Sequence, residues 1–134
     1  MNITLDWVKD LQFAASDDAG HGIVVESKKE GTPSGFTPMQ LLLIAQAGCM
    51  AMDVVSILKK KRVALTGFRV LMDGTRDEEH PKRYTDMNFV FEVLGNVPQE
   101  AVDEAVKMSK EKYCSVSATI QNGVKMKIES RVIS

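Results

Sequence analysis

The chain has 134 residues, a formal net charge of -1, 44% apolar residues and 26% charged residues, a composition that fits one soluble globular domain and excludes a disordered or fibrous chain. A balance of 17 basic against 18 acidic residues gives no bulk attraction to nucleic acid or to an anionic membrane, so neither is expected as a partner. Two cysteines are too few for a disulfide-framed secreted domain, and the N-terminus MNITLDWVKD has acidic residues and no apolar h-region. A cytoplasmic, reducing compartment is therefore expected.

Ile3, Leu5 and Trp7 alternate with polar residues, and Leu11, Phe13 and Ala15 repeat the period of two, which predicts a pair of half-buried strands. The turn formers from Asp17 to Gly22 lead into a third short strand through Ile23, Val24 and Val25, and Lys28 to Gly35 reads as a loop. A helix start follows: Thr37 can cap, Pro38 suits the first helical position, and Gln40 can close a capping box. The helix is expected to run to about Arg62. Its interior, LLLIAQAGCMAMDVVSIL, is apolar around most of its circumference, the mark of a helix buried on several sides. Gln46, Asp53 and Ser56 interrupt the run, so it is not read as a membrane span. One small chain has little material with which to enclose such a helix, and an obligate homodimer sharing the core is the first structural inference.

Lys59, Lys60, Lys61 and Arg62 complement the carbonyl end of that helix. Leu65 to Met72 and Tyr84 to Leu94 then read as two long strands joined by the charged loop Asp73 to Arg83. Val97 and Pro98 open an amphipathic second helix, with Ala101, Val102, Ala105, Val106 and Met108 at helical spacing, ending near Tyr113. Cys114 to Ile120 suits a further short helix, before Asn122 and Gly123 turn the chain into a last strand with Val124, Met126, Ile128, Ser130 and Val132 on one face. Three strands, a long buried helix, two strands, helices and a final strand predict a single α+β domain over residues 1–134.

His21 sits in a turn and His80 in a charged loop, and neither has a partner at ligand spacing, so no metal is expected. With no phosphate-cradling glycine loop, nucleophile elbow or zinc pattern, no cofactor is expected either. The cysteines differ. Cys49 lies mid-helix among small neighbours, with Gln46, Asp53 and Ser56 on its face at spacings of three, four and seven, so an apolar helix carries one polar seam containing a thiol. Cys114 precedes the expected short helix, whose N–H groups would stabilise a thiolate and lower its pKa. The alternative for each is an inert thiol packed as a small hydrophobe. Only tertiary structure can bring the two together.

The segment TPMQLLLIAQAGCMAMD at 37–53, followed by EKYCSVS at 111–117, resembles the OsmC and organic hydroperoxide resistance family, and the element order is similar over nearly the whole chain. The resemblance implies an intertwined homodimer in which two sheets wrap around central buried helices, with a thiol peroxidase site at the subunit interface. In the peroxidases of that family the cysteine matching Cys49 is the peroxidatic thiol and the one matching Cys114 resolves it. The implied activity is thiol-dependent reduction of a small organic hydroperoxide in oxidative stress defence, with Met39, Gln46 and Asp53 as the candidate substrate-binding residues. A thiolate attacks the O–O bond, becomes a sulfenic acid and condenses with the second thiol to a disulfide that an external dithiol reduces.

Three positions depart from that pattern. Met39 stands where the peroxidases carry a glutamate, the first arginine is Arg62 where they place one from the N-terminal region beside the thiol, and Ser115 replaces a proline. With Asp53 four residues after Cys49, the sequence is similar to a divergent branch of the family. An unpaired carboxylate there would raise the Cys49 pKa, unless Lys59, Lys60, Lys61, Arg62, Arg69, Arg76 or Arg83 neutralises it. The rival function is a non-catalytic module whose thiols bind or sense a small apolar or electrophilic ligand at the dimer interface.

Overall fold

The computed structural model describes residues 2–28 and 34–133. Strands β1 (Ile3–Lys9), β2 (Gln12–Asp17) and β3 (Gly22–Glu26) form an antiparallel sheet in that order, with Trp7 opposite Phe13 and Phe13 opposite Val25. The β2–β3 turn is shaped by Asp17, whose carboxylate accepts the N–H groups of Ala19 and His21 at 3.0 and 2.8 Å, an Asx-type closure. Of the loop expected from Lys28 to Gly35, residues 29–33 lie outside the described residues.

Helix α1 (Pro38–Lys60) begins with the predicted capping box. The Gln40 N–H donates to Thr37 Oγ1 at 3.2 Å, and the Thr37 N–H donates to Gln40 Oε1 at 2.9 Å, satisfying two of the amides a helix start leaves without partners. Strands β4 (Leu65–Arg76) and β5 (Tyr84–Gly95) make a second sheet. β4 runs past its expected end at Met72, because Asn88 Nδ2 donates to Asp73 Oδ1 at 2.9 Å and Thr85 Oγ1 to the Thr75 carbonyl at 3.2 Å. Helix α2 (Gln99–Met108), a π-helical turn (Ser109–Tyr113) and helix α3 (Ser115–Asn122) follow.

The chain divides into two compact units, Met1–Ala45 with Met72–Asn88 and Gln46–Leu71 with Phe89–Ser134. In the first, Tyr84 Oη donates to the Met39 carbonyl at 2.8 Å, tying the start of α1 to β5. The second holds the core, where Val54 and Leu58 of α1 meet Ala105 of α2, with Phe68 and Phe91 edge to face at 6.3 Å.

Three expectations change. β1 is exposed along its whole length rather than half-buried. Within one chain α1 buries a single stripe, Leu43, Gln46, Ala47, Met50, Val54 and Leu58, while Leu42, Ile44 and Met52 are exposed, Met52 at 76%. Length and composition alone would let α1 cross a membrane; that stripe instead follows the helical period of a core helix. The expected final strand is not formed: residues 123–133 carry no regular structure, and Val124, Met126, Ile128 and Val132 are exposed. A strand exists only where a neighbour completes its backbone hydrogen bonds, and no described strand pairs with this segment.

Candidate functional site

Both candidate thiols belong to the second unit, and the way Cys114 is presented there depends on the π-helical turn. The Cys114 N–H donates to the Ser109 carbonyl at 2.8 Å, a five-residue closure that ends the α2 spiral and leaves Cys114 extended, at φ -76° and ψ 104°, as the N-cap of α3. Ser109 is wholly buried, and its hydroxyl donates to Asp53 Oδ2 at 2.8 Å. A carboxylate on α1 thus holds the turn that carries Cys114.

The polar seam of α1 faces this turn. The buried Gln46 places its side-chain Nε2 2.5 Å from Ser117 Oγ and 3.7 Å from Cys114 Sγ. Because Ser117 Oγ accepts from Gln46, its own proton is free to point at Cys114, and Ser117 also donates its backbone N–H to Cys114 Sγ at 3.3 Å. Cys49, partly exposed on α1, lies near enough to the nearly covered Cys114 for each thiol to influence the other's ionisation, and neither is in a disulfide. The two cysteines, 65 residues apart in sequence, are neighbours within one chain.

The two thiols are not equivalent. Burial opposes ionisation of Cys114, but the Ser117 hydroxyl, the Cys49 thiol and the N–H groups of Ser117 and Val116 outweigh it, so its pKa falls below the usual thiol value. Cys49 receives N–H groups from Val116 and Ser115, yet burial, its hydrogen bond to Cys114 and the Cys114 charge together push its pKa up. The N-terminus of α3 thus favours ionisation of Cys114, whereas the neighbouring thiol opposes it at Cys49.

Asp53 does not govern this balance in the way the sequence suggested, since its carboxylate is engaged by Ser109 and is not among the main influences on Cys49. Nor does any of the candidate cations stand among the main influences on either sulfur. Lys61 pairs with Glu104 at 2.7 Å, Arg69 with Glu92, and Arg83 with Asp77 at 3.4 Å, while Arg76 donates to the Lys82 carbonyl at 2.7 Å. Asp53 and Lys60 share a cavity of about 510 Å³ with Tyr113 and Met108. Met39 belongs to the first unit, where it lines a cavity of about 530 Å³ with Thr37, Gln40, Arg76 and Tyr84. Sequence reasoning missed Ser117 and Ser109. The first had a signal, a hydroxyl three residues after the cysteine that precedes the expected short helix; the second had none, because its role depends on Asp53, far away in the chain.

A model of the OsmC-like protein family matches residues 31–129. Protein YhfA of Escherichia coli (strain K12) is 35% identical over 136 residues, a match spanning 100% of this chain and 99% of that protein. The crystal structure of a hypothetical protein from Aquifex aeolicus VF5 superposes with a TM-score of 0.80 at 34% identity, covering 90% of this chain and 87% of that one. An organic hydroperoxide resistance protein from Elizabethkingia anophelis has a TM-score of 0.66 at 12% identity, covering 91% and 90%; at that identity the likeness is one of fold. Strand and helix order, the two cysteines in their contexts and the match over most of the sequence agree, and the chain belongs to the OsmC-like protein family.

Proposed function

We propose that the protein is a thiol-dependent redox protein that reduces small organic hydroperoxides with the Cys49–Cys114 pair, recharged by an external dithiol. The observation that carries this reading is the proximity of two free thiols, one of which, Cys114, caps α3 and takes the Ser117 N–H at 3.3 Å and the Gln46 amide at 3.7 Å. A packed structural cysteine needs no such donors, whereas a peroxide-reducing thiolate does. The substrate class follows the resemblance of the 37–53 and 111–117 segments to organic hydroperoxide resistance proteins. The family's glutamate and N-terminal arginine are replaced here by donors of another kind, Ser117, Gln46 and the first N–H groups of α3.

The working form in this reading is a homodimer in the reducing cytoplasm. The apolar side of α1 around Met52, the apolar residues of β1 and the alternating tail from Val124 to Val132 are all exposed in one chain, and exposed apolar surface of that extent marks an interface. Turnover is tested by following cumene hydroperoxide with excess dihydrolipoamide as reductant. Catalytic consumption abolished in both Cys49→Ser and Cys114→Ser supports the reading. Adduct formation at a cysteine without turnover would instead favour a ligand-capturing module, and no consumption above the reductant's own rate would refute peroxidase activity.

A further inference from the structure

We propose that the cavity of about 530 Å³ at the start of α1 is a binding site for a small organic acid, its carboxylate held by Arg76 and Lys28 and its hydrocarbon part lying on Met39 and Leu43. The residues that line the cavity all belong to the first unit, and binding there uses neither cysteine. The site and the thiol chemistry therefore stand or fall separately.

The walls are fixed by contacts that leave the interior open. Tyr84 Oη donates to the Met39 carbonyl at 2.8 Å, which joins β5 to the first turn of α1. The Tyr84 ring lies against β4 at Gly74, where any side chain would overlap the ring. The reciprocal bonds between Thr37 and Gln40 hold the adjoining turn. Pro38, Met39 and Leu43 give the cavity an apolar side, with Leu43 buried. Its volume falls within the range of small-molecule sites, about 300–1,000 Å³, and an apolar lining with a few placed polar groups is their usual composition.

The charged groups in the lining are of one sign. Lys28 and Arg76 line the cavity, and among the described residues no carboxylate does. The acidic neighbours of these two cations in sequence are engaged elsewhere. Asp77 pairs with Arg83 at 3.4 Å, and the buried Glu26 accepts the Gly35 N–H at 2.7 Å and the Gln12 amide at 3.3 Å. Arg76 is anchored through its Nε, which donates to the Lys82 carbonyl at 2.7 Å. That bond sets the plane of the guanidinium and leaves its two terminal nitrogens as a fork for the two oxygens of a carboxylate. A neutral ligand would gain only the apolar wall, whereas an organic acid satisfies the wall and both cations.

The test is calorimetric titration of the full-length protein with octanoate, with n-octanol and inorganic phosphate as comparisons, and amide correlation spectra to place the site. Octanoate should bind once per chain and shift the amide resonances of Met39, Gly74 and Tyr84. Arg76→Gln should weaken binding about tenfold, and Lys28→Gln about threefold. Met39→Glu puts a carboxylate in the cavity and should abolish binding; a glutamate in the first turn suits the helix dipole, so this variant should fold. If Arg76→Gln loosens the turn that its Nε supports, Lys28→Gln and Met39→Glu decide the matter. Four results would each overturn the proposal: no binding of octanoate, n-octanol binding as tightly, phosphate binding as tightly, or octanoate binding that survives Met39→Glu.

Discussion

Ser117 links the two helices that make the thiol site, since its hydroxyl stands between the Gln46 amide and the Cys114 sulfur and its backbone N–H serves the same sulfur. Ser117→Ala removes the hydroxyl and leaves the buried Gln46 amide without its short-range acceptor, which costs about 1–3 kcal/mol of stability. The Cys114 pKa should rise towards the ordinary thiol value. A thiolate is formed by losing a proton, so the rate of thiol alkylation climbs with pH through the Cys114 pKa and flattens above it. In Ser117→Ala that rise should move to higher pH, and at neutral pH alkylation of Cys114 should slow several-fold. Ser117→Thr, which keeps the hydroxyl, should restore most of it. An unchanged pH profile in Ser117→Ala would show that the backbone donors alone hold the charge. Both cysteines were visible in the sequence as candidates, and the short helix after Cys114 was read from its composition. The lowered Cys114 pKa was legible from the helix expected after it, and a raised Cys49 pKa was expected from Asp53; that Ser117, Gln46 and the other thiol set the balance was not, because Gln46 and Cys49 lie more than sixty residues upstream of Cys114.

At the scale of elements, legibility follows the range of the interactions. The start of α1 was readable because Thr37 and Gln40 satisfy each other three residues apart. Thr37→Ala should therefore destabilise the protein by about 0.5–2 kcal/mol, measured as a lower midpoint of urea denaturation with an unchanged slope. The extension of β4 and the π-helical turn were unreadable, since each is fixed by partners distant in sequence: Asn88 and Thr85 for β4, Asp53 for the turn. The turn supplies a second comparison. Asp53→Asn keeps an acceptor for the Ser109 hydroxyl and should change stability little, whereas Asp53→Ala leaves that buried hydroxyl unpaired and should cost about 1–3 kcal/mol. Because the Cys114 N–H rests on the Ser109 carbonyl, Asp53→Ala should also raise the Cys114 pKa. If Asp53→Ala and Asp53→Asn behave alike in denaturation and titration, Asp53 is not positioning the turn.

For the whole molecule, the sequence foretold more burial of α1 and one more strand than a single chain provides. Both differences have one physical origin: apolar faces and an alternating tail need a partner surface and a pairing edge, and neither is supplied within the described chain. The proposed homodimer would account for them. Met52→Lys, at the most exposed apolar site of α1 described here, should convert the dimer to an unstable or aggregating monomer in sedimentation equilibrium, as should truncation after Gly123. A stable, cooperatively folded wild-type monomer at micromolar concentration would remove the dimer from the account while leaving the thiol pair in place. The claim that matters most is that this pair is a redox unit, and the most direct measurement is peptide mapping by mass spectrometry after one equivalent of cumene hydroperoxide. The account predicts loss of both thiols and a single disulfide joining Cys49 to Cys114 within one chain; both thiols remaining free while a control dithiol in the same solution is oxidised would contradict it.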